Sequence, residues 1–479
     1  MKLGRRLCAP LEQSLNKPIH HSPLKSPMKT LLSTFGEYIE SATAQPLADD
    51  VLHAARRALL DWQGALIAGS NSDVAQKLIA SYQPELGFGQ CAVAGTNLKT
   101  TPRAAAFLNG SIAHIAEFDD IYRNGAYHPA CPTISAAWVC ATQQGLTLEA
   151  LLKAIVVGYE VSTRIAEVIQ PSHYKYFHTT GTVGVFGAAA ACSSLLGLSA
   201  EQSMHAMATA GTFASGLQQA FRSDSMTKPL HAGHAAEVGL NAAYGAFAGM
   251  TGTPDLLEGA AGFGAAMSQN PRWEDVFNGL GEVFHITQMT FKNHGCCGHT
   301  FPAIDGAQYL TRTYQIDSAA VKKIDLAVYQ ASADVCAYRH PQTPFEAKFS
   351  LTHTVACGMI LGAVREKAFT QEQLGNAVIQ QLEDKINFTV DPQITSLFPK
   401  VRSAKVRIEM TSGQVFEHHQ QTRHGDPDDP LTDIELVEKF TELSIGRVGV
   451  NAVSKLSELI WQGETELVES LTAYWRLHE

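Results

Sequence analysis

Apolar residues recur at helical spacing through most of the first half of the chain. LLSTFGEYIESA and LADDVLHAARRALLDWQGALIAG predict two helices between Thr30 and Gly69, the second carrying Val51, Ala54, Ala55, Ala58, Leu59 and Trp62 as one stripe. Residues 88–100 (FGQCAVAGTNLKT) read as a short extended piece and a turn. Helices resume at Pro102 with TPRAAAFLNGSIAHIAEF, restart behind Pro132 and continue through LEALLKAIVVGYEVSTRIAEVI. Two later helices, TVGVFGAAAACSSLLGLS and HAGHAAEVGLNAAYGAFAGM, are so rich in Ala and Gly that neighbouring backbones must approach them closely.

After Ser268 the period changes from that of a helix to two. VFHITQMTF, KKIDLAVYQA and AKVRIEMTSGQVFEHHQQT alternate apolar and polar residues as half-buried strands do. Between them HTFPAIDGAQYLTRTY, FSLTHTVACGMILGAV and TQEQLGNAVIQQLEDKI read as helices, and so does the tail DIELVEKFTELSIGRVGVNAVSKLSELIWQGE. The predicted fold is mainly α, a large all-helical domain with a smaller inserted α+β domain. Its expected parts are a flexible extension (1–29), the helical domain (30–268), the α+β domain (269–428) and C-terminal helices returning to the helical domain (429–479). HGDPDDP at 424–430 reads as a linker.

Composition narrows the class. With 479 residues, 45% hydrophobic and 17% charged, the chain can bury a large core. A net charge of -10 with scattered basic residues argues against nucleic acid. The most apolar run, Val183 to Leu198, is short for a bilayer span and rich in small residues, so no membrane is expected. Residues 1–27 are basic and proline-rich but lack the apolar core of a secretory signal. They read as a draped extension, with a transit peptide as the alternative because Glu12 is their only acidic residue. Nine cysteines, mostly in apolar surroundings, suit reduced thiols in a cytosol. No phosphate-binding loop, dinucleotide fingerprint or serine-hydrolase elbow occurs.

The candidate chemistry centres on HIAEFDDIYRNGAYHPACPT, which gathers Glu117, Asp119, Asp120, Tyr122, Arg123 and His128 on a loop between two buried helices. The competing reading is a solvated helix end with an Asp pair at a cap. A second polar group, Tyr174, Tyr176, His178, Thr179 and Thr180, heads the first Ala-rich helix, whose free N–H groups suit a carboxylate. Lys228 precedes Pro229 and a helix carrying His231 and His234, where burial is expected to lower its pKa. Asp61 reads as a structural hydrogen-bonder. His294, Cys296, Cys297 and His299 offer four metal ligands, but not at the paired spacing of structural zinc, so no metal is expected.

LLDWQGALIAG, AAAFLNGSIAHIAEFDD…HPACPTISAA, HTTGTVGVFGAAAACSSLLGLS, MTKPLHAGHAAEVGL, EGAAGFGAAM and CCGHTFPAID, in that order, resemble the MmgE/PrpD family. Its members include a 2-methylcitrate dehydratase, a cis-aconitate decarboxylase and an iminodisuccinate epimerase. The resemblance implies a homodimer with no metal or organic cofactor and a lid inserted before the tail. It places the catalytic groups on His128, His178 and Lys228, and a lid His of the animal decarboxylase on Cys297, with His299 two residues on. Glu117, Asp120, Tyr176, Thr179, Thr180, Cys297 and His299 are the expected substrate-binding residues. Where the family often has D-F-D-D-T, this chain has Glu117 to Ile121 and lacks the hydroxyl. The expected function is a lyase on a small di- or tricarboxylate, dehydrating or decarboxylating it, with epimerisation as the alternative. A helical scaffold whose His-rich turns are structural is the rival from another class.

Overall fold

A computed structural model describes residues 29–477 apart from 224 and 399. The expected extension therefore lies outside the described residues, save for Lys29. The chain is mainly helical, with one four-stranded sheet and one two-stranded ribbon.

Helix Thr179–Leu195 forms the middle of the helical domain, buried along Thr179–Ser194. Around it pack helices Ala130–Gln144, Leu148–Val168, Ala200–Gly211 and Leu230–Phe247. Its Ala and Gly content sets how close they come. A Cβ on Gly239 would stand 2.3 Å from the Ala188 methyl, and one on Gly158 would stand 2.6 Å from the Gly187 carbonyl. The ribbon of β1 (Cys91–Ala92) and β2 (Lys99–Thr100) occupies the short extended stretch.

In the α+β part, β3 (Val321–Val328), β4 (Ile386–Val390), β5 (Ala404–Met410) and β6 (Val415–Gln420) pair in the order β4-β3-β5-β6. Only β3 and β4 run parallel. Strict alternation along β5 puts Val406 and Ile408 into a core shared with Ile324, Leu326, Ile304 and Val355.

Three expectations fail here. VFHITQMTF is not a strand: it forms a 3-10 turn at His285–Gln288 and one bridge between Thr290 and Ile121. Its Ile286, Met289 and Phe291 sink into the helical core, so the alternation reflects a segment draped over helices. TQEQLGNAVIQQLEDKI breaks after Leu374 because the Asn376 side chain caps a new helix, Ala377–Glu383, and Ile386 already belongs to β4. HGDPDDP is no loose linker. Asp426 is buried and accepts hydrogen bonds from Arg423 and Thr290, which pins the turn.

The C-terminal helices Asp433–Val448 and Val450–Gln462 separate at Gly449, whose φ of 80° suits glycine. The first packs along helix Asp49–Ser70. Near the chain end Trp475 stacks on Trp138 at 4.9 Å and donates to Gln63 Oε1 at 2.7 Å. Lys439 reaches through the helical layer and donates to Asp61 Oδ1 at 2.6 Å and to the Phe118 carbonyl at 2.8 Å. Both charged partners are at most 1% exposed. Burial pulls Asp61 up and Lys439 down, and their mutual attraction opposes both shifts.

Removing one member of a buried pair strands the other charge. Lys439→Ala is therefore expected to cost about 3–5 kcal/mol in urea unfolding, whereas Lys439→Met with Asp61→Leu should recover most of it. A loss of about 0.5 kcal/mol, ordinary for a surface substitution, would refute the clamp.

Candidate active site

Helix Pro102–Ile115 ends in the polar loop, and His114 lies buried in its last turn. Glu117 follows with φ 62°, a left-handed conformation that costs a non-glycine residue about 1–3 kcal/mol. Neighbouring charges hold it there: Glu117 Oε1 pairs with Lys228, and Oε2 lies 3.4 Å from Lys292 Nζ. Burial raises the Glu117 pKa, but the two ammonium groups override it and hold the carboxyl well below the usual range.

Asp119 has no exposed surface. Its Oδ2 is 2.7 Å from His114 Nδ1 and accepts from the Cys131 thiol at 3.3 Å. His128 Nδ1 stands 3.1 Å from the same oxygen, off the line a hydrogen bond needs. Lys292 Nζ is 3.8 Å from Oδ1. Against the pull of burial, His114, His128 and Lys292 keep this carboxyl well below its ordinary pKa. The His114 ring meets the His128 ring edge-on at 5.0 Å and stacks on His178 at 5.5 Å. His178 Nδ1 in turn lies 3.0 Å from His231 Nδ1.

Burial favours the neutral form of three of these imidazoles, His128, His178 and His231. It lowers His128 and His231 to about 4 and holds His178 well below its ordinary value. Lys228 goes the other way. Burial alone would lower it, as the sequence suggested, but its ion pair with Glu117 raises it, so Lys228 is a fixed cation and not a neutral amine.

Residues 33–275 match the MmgE/PrpD N-terminal domain and residues 294–462 match the MmgE/PrpD C-terminal domain. The chain belongs to the MmgE/PrpD family. It is 26% identical to the human cis-aconitate decarboxylase (Homo sapiens) over 90% of this chain and 92% of that one. It is 27% identical to "Cis-aconitate decarboxylase-like protein oryM" of Aspergillus oryzae, covering 87% and 91%. A cis-aconitate decarboxylase of Aspergillus terreus is 24% identical, covering 86% and 89%.

Of the residues singled out in this MmgE/PrpD chain, His128, His178, Lys228 and Glu117 come together. Thr180 supports them, its hydroxyl accepting the His128 N–H at 3.3 Å. Cys297, just before the α+β part, is near enough for the charges of Glu117 and Lys228 to act on its thiol, and contact with Cys336 holds that thiol below its usual pKa. Four others are used elsewhere. Both oxygens of buried Asp120 are taken, one by the Tyr159 hydroxyl at 2.8 Å and one by the Ala130 N–H at 3.1 Å, where Asp120 caps helix Ala130–Gln144. Thr179 accepts from Gln170 at 3.1 Å, His299 pairs with the Tyr329 hydroxyl at 2.8 Å, and Tyr176 is 54% exposed at the surface.

The residues given no role from the sequence are His114, Asp119 and two lysines from the second half of the chain. Lys292 is 4% exposed between Glu117 and Asp119, and Lys348 lies near Glu117, its pKa lowered by burial. The one sequence signal for Lys292 was its place directly behind the apolar Phe291 in MTFKNHG.

Ligand atoms of His114, Asp119 and His128 fall within 4.8 Å of one another, close enough to span a metal ion. The ammonium of Lys292 at 3.8 Å already supplies positive charge there, and Lys228 adds more beyond Glu117. These two ammonium groups balance the carboxylates of Glu117 and Asp119.

Acid should destabilise the fold through these rings. An imidazole whose pKa drops from 6.5 to about 4 on folding, as in His128, contributes stability that is complete above pH 6.5 and is lost as the pH falls to 4. Each such ring adds up to about 1.4 kcal/mol per pH unit inside that window. The urea midpoint should fall across it, and less steeply in His128→Gln. Equal slopes for the two proteins would contradict the assignment.

Proposed function

We propose that this protein is a lyase that decarboxylates a small unsaturated tricarboxylate of the cis-aconitate type. The observation carrying the reading is the buried row of imidazoles, His128, His114 and His178, beside the ammonium groups of Lys228 and Lys292. The names of the relatives, which match nearly the whole chain, point the same way.

The chemistry follows from charge. Carboxylates of the substrate meet Lys228 and Lys292, taking over part of the role of Glu117. Negative charge brought next to His128 and His178 favours their protonated forms, so binding arms the acid. The bond to the departing carboxylate then breaks, and its electron pair moves through the adjacent double bond. The distal carbon takes a proton from an imidazolium, and carbon dioxide leaves. Lysine charge stabilises the anion that develops on the way. His128 Nδ1 faces Asp119 and His178 Nδ1 faces His231, which leaves each Nε2 for the substrate. The lid, through Cys297 and Lys348, closes the site against water.

Incubation with cis-aconitate in deuterated water is expected to release carbon dioxide and leave one deuterium on carbon. Lys228→Ala and His128→Ala should each lower kcat about a hundredfold to ten-thousandfold. Dialysis against a strong chelator should leave turnover unchanged. A substrate returned with its connectivity intact and deuterium at a stereocentre would mean an epimerase. A hydroxy acid converted to an alkene would mean a dehydratase, and no turnover of any polycarboxylate would favour the scaffold reading.

We also propose a cytosolic homodimer. The cysteines among the described residues are all free, which fits a reducing compartment. Phe213, Leu217, Phe247 and Met250 are each 60–61% exposed and offer apolar surface for a second copy to cover. Light scattering should give twice the 51.7 kDa chain mass, and a single chain mass would refute the dimer.

A further inference from the structure

His231 is not needed to hold substrate in the scheme above, yet its ring is set against that of His178 with the two Nδ1 atoms 3.0 Å apart. At that distance one nitrogen carries a proton and the other accepts it, because two bare lone pairs would repel and two N–H groups would collide. The contact is built into the backbone. The His178 N–H donates to the Gly216 carbonyl at 2.9 Å, and a Cβ on Gly216 would come within 3.3 Å of the His231 ring. A Cβ on Gly181 would meet His231 Cβ at 3.0 Å. His178 is 1% exposed and enclosed by the His114 ring on one face and the Phe221 edge at 4.7 Å. It cannot turn to choose another partner.

We infer that His231 is a positioning residue which accepts the Nδ1 proton of His178, so that Nε2 of His178 is the nitrogen that gains a proton and passes it to the substrate, and the charged ring is stabilised while it holds both. The inference rests on the lyase reading for what the proton is used for, and on the ring geometry for the pairing itself.

The protons balance. The charged pair holds three: Nε2–H on His178, one proton bridging the two Nδ1 atoms, and Nε2–H on His231. When His178 gives its Nε2 proton to carbon, the bridging proton stays on its Nδ1, and two neutral rings remain. His231 thus does for His178 what a carboxylate does for a catalytic imidazole, fixing the tautomer and stabilising the cation. The acceptor here is a second ring, and the fixed charge beside the pair is the Lys228 ammonium. His178 faces His114, His128, Lys228 and His231, and His231 faces His178, His114, His234 and Lys228. Asp119 is already engaged by His114 and Cys131.

The test compares His231→Gln, whose side-chain carbonyl can still accept, with His231→Phe, which fills the space and cannot. His231→Phe should lower kcat at neutral pH about tenfold to a hundredfold with KM within a few-fold, and shift the acid-dependent limb of the kcat profile to lower pH. His231→Gln should retain most of kcat and the wild-type limb. Should Phe prevent folding, His231→Leu makes the same comparison. A Phe or Leu variant with wild-type kcat and profile overturns the inference, as does a Gln variant as impaired as Phe, or a change confined to KM or thermal stability. Wild-type turnover tests the lyase reading separately. Titration of 15N-labelled histidines by NMR tests the pairing whatever the reaction proves to be, with the His178 titration expected at lower pH in His231→Phe and an unmoved titration counting against the pairing.

Discussion

The site depends on a buried anion that cannot be neutralised. Asp119 has no contact with solvent, and its carboxylate stays ionised only because His114, His128, Cys131 and Lys292 surround it. They come from three places: His114 from the end of one helix, His128 and Cys131 from the start of the next, and Lys292 from the segment leading into the α+β part. Moving any of them would leave a bare charge in a low-dielectric interior, so the ionisation of one group enforces the assembly of four. Glu117 extends the same logic outward, with a strained backbone held by two lysines more than a hundred residues away in sequence.

That assembly also explains why the chain returns to its first domain. Lys439, on a helix that follows the entire α+β insertion, donates to the carbonyl of Phe118, between Glu117 and Asp119. The Phe118 ring is wedged against Gly295, where a Cβ would approach to 2.4 Å, beside the turn that carries Cys296, Cys297 and His299. The loop is thus gripped from the C-terminal helix on one side and from the Gly295 segment on the other. With backbone and charges fixed in this way, the imidazoles of His128 and His178 can be kept neutral at rest and still be a short step from protonation when an anion arrives.

Much of this was legible beforehand. Helical periodicity located the helices around the polar loop, and the Ala-rich stretches announced the close packing of the central helix, because both follow from local spacing. His128, His178, Lys228 and Glu117 stood out as polar groups at the edges of apolar segments. Asp120, Thr179 and His299 stood out equally and are used differently. Side-chain type says that a group can bind or cap, and only its neighbours decide which. Asp120 ended as a cap because Tyr159 and Ala130 reach it first.

The sequence by itself determined the helical domain, the switch to strand periodicity after Ser268 and the presence of acid, base and cation in the right types. Tertiary structure alone decided which of them face one another. Lys292 and Lys348 look like ordinary lysines until folding brings them to Glu117, and Lys228 became a permanent cation because that carboxylate outweighs the burial expected to neutralise it. VFHITQMTF carries strand alternation, yet its apolar residues found their partners on helices. Periodicity is a property of neighbours along the chain. Charge state and burial are set by neighbours in space, which in this protein lie as far apart as Asp61 and Lys439.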